Sequence, residues 1–410
     1  MSSVIVIGAG HAAGQLVAGL RQNGSTEGVL MIGDEHEPPY QRPPLSKQFL
    51  SGEWGVDKLL LRPMNFYAQK DIRLRTDTRV VAIDRAAHSV ALEGGETHDY
   101  SALVIATGSR VRKLSIPGSD LANLFYLRTL ADVVAIREVL QPGKRLVIVG
   151  GGYIGLETAA VARKMGVEVT VLEMESRILQ RVTTEAMSAF YDTLHRGHGV
   201  DIRVNMRVSG FSGSAGGGGS VDGVICGDGT TIPADLVVIG VGVIPNTELA
   251  ADAGLAVDNG ILVDAFCRTN DPDIYAIGDC ARGYNDALAR AIRLESVPNA
   301  MEQARVASAN ICGKALRYNS MPWFWSDQYD VKLQMVGFAG DGNESVTRGD
   351  VSAQQFMTFY LNNGAVVAAD SVNMPRDFLL ARQLAERKVQ ADRQVLADSS
   401  ADLKALMPKG

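Results

Sequence analysis

Short apolar runs recur along this chain, and several of them stop at glycine. The run VIVI (4–7) and the run LVIV (146–149) carry no polar residue, which is the pattern of a buried strand. Each passes into a Gly-rich turn and then into a stretch with helical spacing. The runs 29–35 (VLMIGDE) and 167–175 (VEVTVLEME) predict the next strand after each helix. Two further runs end in small residues: LVIATGSR (103–110) and DIYAIGDCA (273–281). Near the C-terminus, QFMTFYLNNGAVVAADSVN (355–373) predicts two strands about an Asn-Asn-Gly turn. The stretch DFLLARQLAERK (377–388) has the spacing of an amphipathic helix. SGSAGGGGS (212–220) predicts a flexible surface loop between strands, with no function assigned.

The two glycine turns lie 142 positions apart. In the first, Gly8, Gly10 and Ala13 follow G-x-G-x-x-A; in the second, Gly150, Gly152 and Gly155 give the full G-x-G-x-x-G. The first small residue permits the tight turn, the second lets backbone approach a pyrophosphate, and the third lets helix pack on strand. The helix start then offers free N–H groups and a partial positive charge to the phosphates. An acid at the end of the following strand can accept from ribose hydroxyls. Asp34 is the first choice in the first copy, with Glu35 as fallback; Glu173 fills the place in the second. Two fingerprints mean two dinucleotides, or one and a duplicated relic. A resident flavin in one site and NAD(P)H in the other explains both. A carboxylate at Glu173 would repel a 2′-phosphate by about 1–4 kcal/mol at ~4 Å, so NADH is expected over NADPH. Arg177 and Arg181 follow it at four and eight residues.

Length and composition narrow the class. At 410 residues the chain is too long for one ordinary core, and two or three domains are expected. No apolar run reaches about 18 residues, so no membrane span is expected. The N-terminus enters a strand pattern without a basic region, so no signal peptide is expected. A net charge of −6 argues against a nucleic-acid partner. The four cysteines (226, 267, 280, 312) are scattered, without disulfide or zinc spacing, which fits a reducing cytoplasm. His195 and His198 have no acid or cysteine at ligand spacing, so no metal is expected.

The set GAGHAAG, PPYQRPPLSK (38–47), ATGSR, VGGGYIGLE, DIYAIGDCA and PWFWSDQY (322–329) resembles the NADH-dependent, FAD-containing ferredoxin reductases of oxygenase systems. The match runs from about residue 3 to about 380. RTLADVVAIR and RLESVPNAMEQAR bring it closest to the reductases of class I cytochrome P450 systems. The resemblance implies an α/β, glutathione-reductase-like fold: two Rossmann-type dinucleotide-binding domains and a C-terminal α+β domain. The expected division is an FAD domain of 1–110 and 243–320, an NAD domain of 111–242 and a C-terminal domain of 321–410. Carried over by residue, it places Ala12 at the FAD pyrophosphate and Asp34 on the adenosine ribose. Arg42, Lys47 and Arg128 fall near the pyrophosphate or the isoalloxazine. Val80 falls at the adenine, Asp279 on the ribityl chain and Val297 at the pyrimidine end of the flavin. Ala106, Thr107 and Gly108 complete that site. For NAD it points to Gly152, Tyr153, Ile154, Glu157, Glu173 and the GVG at 240–242, thus Val241 and Gly242. Trp325 matches an aromatic residue beside the flavin.

Lys47, Glu157 and Trp325 are the expected catalytic side chains. Lys47 near flavin N5 or N1 would stabilise the negative charge of reduced flavin; the alternative is a solvated lysine after a Pro-Pro turn. Glu157 would bond the nicotinamide amide; the alternative is an acid placed favourably near a helix start. Disulfide reductases of this fold carry CxxxxC near the flavin, and this chain has PYQRPPLSK there. Electrons must therefore leave to an outside acceptor. The resemblance implies a [2Fe–2S] ferredoxin and, through it, a cytochrome P450. Arg290, Arg293, Arg305 and Lys404 are expected docking residues for that acidic partner. A monomer or weak homodimer is expected. The alternatives are a reductase for a Rieske dioxygenase or rubredoxin, and an apoptosis-inducing-factor-like flavoprotein that senses NADH.

Overall fold

The computed structural model describes residues 3–213 and 219–407. Its contacts group the chain into two compact units. The first takes 1–41, 57–110 and 244–324; the second takes 42–56, 111–243 and 325–410. The segment 42–56, which holds Arg42 and Lys47, thus groups with the NAD-type residues and not with 1–41.

The first unit is built on five parallel strands in the order Ile274–Ala276, Ala102–Ile105, Ser3–Ile7, Gly28–Ile32, Ile72–Arg75. Alternate residues of Ser3–Ile7 face opposite ways. Val4 and Val6 pack with Leu16, Val17 and Leu20 of the helix His11–Gln22 and with Ala300, Ala304 and Ala307 of the helix Val297–Ile311. Ile5 and Ile7 pack with Val80, Ile83, Val90 and Leu92 of a three-stranded antiparallel meander. Both faces are covered, which is why VIVI shows no alternation. Full burial contributes about 1.5–3 kcal/mol for each side chain of this size.

The second unit repeats the plan. Its parallel strands run Asp201–Arg203, Glu168–Leu172, Arg145–Val149, Leu236–Ile239, Leu124–Phe125. A second meander, Val208–Gly213, Val221–Cys226 and Thr231–Pro233, covers one face. Of the expected loop 212–220, residues 214–218 lie outside the described residues.

The C-terminal stretch forms a five-stranded antiparallel sheet in the order Trp323–Gln328, Val331–Val336, Ala365–Val372, Gln355–Asn362, Glu344–Asp350. The helix Pro375–Glu386 packs on Ala365–Val372. The hairpin turn has Asn363 at φ +49° and Gly364 at φ +80°. Two consecutive positive φ values suit the twist of a tight hairpin, and Asn-Gly tolerates them best.

Strand ends differ from expectation by a few residues. The strand expected over 29–35 stops at Ile32, and the one expected over 167–175 stops at Leu172. Asp34 and Glu35 therefore follow a glycine beyond their strand, whereas Glu173 directly follows its own. Among the described residues, no helix is long and apolar enough to cross a membrane.

Candidate cofactor cradles and active site

In the first unit, Gly8 has φ +109°, and a Cβ there would lie 2.2 Å from the Ala106 carbonyl oxygen. The turn is pressed against the end of Ala102–Ile105, so glycine is required on both counts. Thr107 and Gly108 continue from that end. Thr107 Oγ1 donates to the Asn246 carbonyl, and Asn246 Nδ2 donates to the Thr107 carbonyl, each at 2.8 Å. Gly10 precedes the helix, no side chain caps it, and no atom lies within 4 Å of its Cβ position. A helix start with no side-chain cap and open space beside its Gly10 Cα is the setting in which backbone N–H groups can receive an anion. Ala12 Cβ lies 3.2 Å from where Gly278 would carry a Cβ, and Ala13 is fully buried. Next to Gly278, Asp279 accepts the Ser109 hydroxyl at 2.8 Å. Asp34 is exposed and pairs with Arg79 at 3.2 Å; Glu35 accepts the Tyr40 hydroxyl at 2.5 Å. Val80 opens the meander, and Val297 is the first residue of a helix capped by Ser296.

The second cradle is built the same way. Gly150 also has φ +109°, and its Cβ would lie 2.4 Å from the Gly240 carbonyl oxygen. Gly152 precedes the helix Tyr153–Lys164, uncapped and open. A Cβ on Gly155 would lie 2.4 Å from the Gly150 oxygen. Glu173 is part of the turn: its Oε2 accepts from Gly151 N at 2.8 Å, and its Oε1 accepts from Glu175 N at 2.9 Å. Each carboxylate oxygen has a second lone pair for a ribose hydroxyl. Arg177 donates to three backbone carbonyls, those of Gln180, Thr183 and Thr184, which occupies it structurally. Ile154 is exposed, and the Tyr153 hydroxyl donates to Met335 Sδ at 3.2 Å. Gly242 has φ +96°, and its carbonyl accepts from Arg112 N.

Two expected catalytic residues meet inside the second unit. Glu157 lies on the helix Tyr153–Lys164 and is 2% exposed. Lys47 Nζ is 2.5 Å from its Oε2, and the Ser46 hydroxyl donates to the same oxygen at 2.6 Å. The Ser326 hydroxyl donates to Oε1 at 2.7 Å. Lys47 also donates to the Pro43 carbonyl at 3.2 Å. A lone buried carboxylate would be unfavourable by several kcal/mol; an ammonium and two hydroxyls offset that. Arg42 donates to the Arg128 carbonyl at 2.7 Å in the same unit. Trp325 is half-buried, and its strand neighbours Ser326 and Gln328 are buried.

Sequence reasoning passed over Ser46, Ser326 and Gln328. Ser326 and Gln328 stand two apart in a strand and so share a face, a signal readable in WFWSDQY. His195, considered only as a metal ligand, is fully buried and bonds Gln328 at 2.8 Å. Burial holds its ring at about 4, below the ordinary imidazole range, so it is neutral near pH 7. Asp370, buried and bonded by the Tyr360 hydroxyl at 2.8 Å, is pushed up to about 6 by burial.

The docking set needs correction. The Arg293 side chain is 13% exposed, pairs with Glu295 at 2.7 Å and donates to the Asp279 carbonyl at 3.3 Å. It braces the Asp279 segment and is not a surface charge. Arg305 is half-exposed but bidentate to Glu302 at 2.9 and 2.6 Å, so its charge is largely offset. Arg290 and Lys404 are exposed.

Two uncapped glycine cradles in one chain are the arrangement of a flavin- and nicotinamide-dependent oxidoreductase. Residues 2–304 match the family described as pyridine nucleotide-disulphide oxidoreductase, and residues 323–407 match the reductase C-terminal family. The chain belongs to the pyridine nucleotide-disulphide oxidoreductases. It has their glutathione-reductase-like fold and binds FAD and NADH. It is 43% identical to putidaredoxin reductase CamA of Pseudomonas putida over 99% of this chain and 96% of that protein. The crystal structure of the covalent putidaredoxin reductase–putidaredoxin complex superposes with a TM-score of 0.95 at 43% identity, covering 99% of this chain and 98% of that one. The ferredoxin reductase for the CYP199A2 system of Rhodopseudomonas palustris gives 0.95 at 40% identity, covering 99% of each chain. Unlike the family's name, this oxidoreductase has no cysteine pair at redox spacing; Cys226, Cys267, Cys280 and Cys312 are all free.

Proposed function

We propose that this chain is an NADH:ferredoxin reductase that supplies a [2Fe–2S] ferredoxin and, through it, a cytochrome P450. The observation that carries the reading is a duplicated, uncapped phosphate cradle in a chain without a redox cysteine pair. Electrons taken from NADH then have no protein disulfide to enter. Its relatives include a putidaredoxin reductase captured with putidaredoxin and a ferredoxin reductase for the CYP199A2 system, which supports the partner class.

The first cradle fits FAD: the open helix start after Gly10, the Ala12 contact and the Ser109-braced Asp279 are groups for a pyrophosphate and a polyol chain. FAD, when bound, supplies conversion of a two-electron hydride into single electrons. The second cradle takes NADH, with the pyrophosphate at Gly152 and the ribose at Glu173. Lys47 and Glu157 form a preset charge pair for the redox centre. Within that unit Glu157 would accept from the nicotinamide amide while holding Lys47 in place, and Lys47 would supply a positive charge that offsets negative charge on a reduced cofactor. Orientation supplies most of the rate, so no separate acid–base pair is required. Arg290 and Lys404 are the docking charges for an acidic ferredoxin, with Arg305 a weaker one.

The test is NADH-driven cytochrome c reduction by the flavin-loaded protein, with and without an added [2Fe–2S] ferredoxin. A large ferredoxin-dependent rate is expected. Rapid flavin reduction with no turnover across a panel of ferredoxins would point instead to an NADH sensor.

A further inference from the structure

The hydrogen bonds around Glu157 have a direction that can be worked out from one end. A carboxylate accepts only, so the Ser326 hydroxyl must donate to Oε1. Ser326 then has only lone pairs to offer Gln328 Nε2, 3.1 Å away. That fixes the amide with its carbonyl toward His195. His195 Nε2, 2.8 Å from Gln328 Oε1, must therefore carry the ring hydrogen. Nδ1 is left as the acceptor, with the Tyr329 hydroxyl 3.4 Å away as a long final link. Every hydrogen in the series points toward Glu157.

The series is well built for rigidity. Ser326 and His195 are fully buried and Gln328 is 1% exposed. Ser326 and Gln328 share one face of a strand, and His195 comes from the helix Glu185–Gly197. The charged and titratable groups around Glu157 are Lys47, Tyr153 and Tyr191; those around His195 are Asp192, His198 and Tyr329. Burial keeps the ring neutral, so a single tautomer can persist through the working pH range.

We propose that Gln328 and His195 are positioning residues of the redox site: held by His195, the Gln328 amide donates to the Ser326 oxygen and fixes where the Ser326 hydroxyl stands, and so locks the Glu157 carboxylate in one orientation. Among the described residues, neither side chain is hydrogen-bonded to a cradle residue. The proposal rests on the reading that Glu157 works at the nicotinamide.

The experiment uses the flavin-loaded protein and variants chosen by reach. His195→Gln carries an amide N–H where Nε2 stood and keeps the series. His195→Asn has its amide at the Nδ1 position and cannot reach Gln328. Gln328→Leu removes the link with similar volume. Flavin reduction at saturating NADH is expected within about threefold of wild type for His195→Gln, and about tenfold slower for the other two, the loss of one buried hydrogen bond. Independently of turnover, nitrogen-15 NMR of the histidines should show His195 as the Nε2–H tautomer from pH 5 to 8. An Nδ1–H tautomer overturns the proposal even if variants fail to fold, and so do equal rates for the two His195 variants. Glu157→Gln separates the two layers. If it reduces flavin at the wild-type rate, the reading of Glu157 fails and this proposal with it. If it is slow while Gln328→Leu and His195→Asn are not, only this proposal fails.

Discussion

The two glycine cradles share a skeleton but solve one packing problem in opposite ways. Ile32 and Leu172 are equivalent: each carbonyl accepts from the first glycine of its turn, Gly8 and Gly150, at 2.7 and 2.8 Å. The next residue is Gly33 in the first copy and Glu173 in the second. The middle residue of the turn switches the other way, Ala9 against Gly151. A Cβ on Gly33 would lie 2.5 Å from the Ala9 Cβ; a Cβ on Gly151 would lie 2.7 Å from Ile178 Cγ2 and 3.2 Å from the Glu173 carboxylate. The space beside the strand end holds a methyl group from the turn in the first copy, and Ile178 together with the acid in the second. In the second copy the acid is bonded into the turn. In the first it is displaced to Asp34 and Glu35, which are held by Arg79 and Tyr40. A shared motif thus fixes the phosphate end of a cradle and leaves the ribose end to the side chains that pack beside the turn.

The sharpest way to break the equivalence is at the shared glycines. Gly8→Ala and Gly150→Ala each place a methyl against a carbonyl oxygen at a left-handed φ. Each should destabilise by about 3–5 kcal/mol, and chemical denaturation should show the two alike. Gly155→Ala should also disturb its copy, whereas Ala13→Gly should cost only about 0.5–1 kcal/mol, because the first copy already accommodates that Cβ.

Acid stability should be a property of the second unit, where His195 and Asp370 oppose each other. His195 titrates near 4 when folded against 6.5 ordinarily, so the unfolded chain binds the extra proton. Its contribution is lost as pH falls from about 6.5 to about 4, by about 3 kcal/mol. Asp370 is raised from 3.8 to about 6, so the folded chain binds the extra proton, and stability rises by about 3 kcal/mol as pH falls through that window. The two nearly cancel in the wild type. Asp370→Asn should expose the His195 limb as a steep acid loss below pH 6.5, measured by denaturant titration at pH 7 and pH 4.5. A flat profile in that variant would show that His195 does not titrate as described.

The Ala9/Gly33 exchange can be tested by a double-mutant cycle. Gly33→Glu should destabilise by about 2 kcal/mol through overpacking, and Ala9→Gly in the same chain should restore more than half of that. Additive effects would mean the methyl and the acid do not compete for one space. The smallest effect belongs to Glu173. Glu173→Ala should raise the NADH KM about tenfold with kcat little changed, narrow the gap to NADPH and leave FAD content intact.

Local chemistry was legible in the sequence because it is enforced locally. Gly8 and Gly150 need positive φ, VIVI needs cover on both faces, and Asn363-Gly364 needs a hairpin. Each requirement is written in a few neighbouring residues, even where distant segments meet it, so the two cradles, their order and the C-terminal hairpin were readable in the order of residues. The strand ends at Ile32 and Leu172 were not. Asp34, Glu35 and Glu173 all close apolar runs, and it takes the packing around Ala9 and Gly151 to show that only Glu173 is bonded into its turn. Arg293 looked like a surface charge because nothing local shows that it turns inward to the Asp279 carbonyl.

What the tertiary structure alone decided is the company kept by Glu157. Its partners Lys47 and Ser326 are 110 and 169 residues away in the chain. A carboxylate near a helix start is stable in water for ordinary dipole reasons, so sequence leaves it ambiguous. Once it is 2% exposed it must find donors, and those can come from any segment that folding brings within about 3 Å. Backbone geometry is a short-range demand written in neighbouring residues. Satisfying a buried charge is a demand on whatever the fold places beside it.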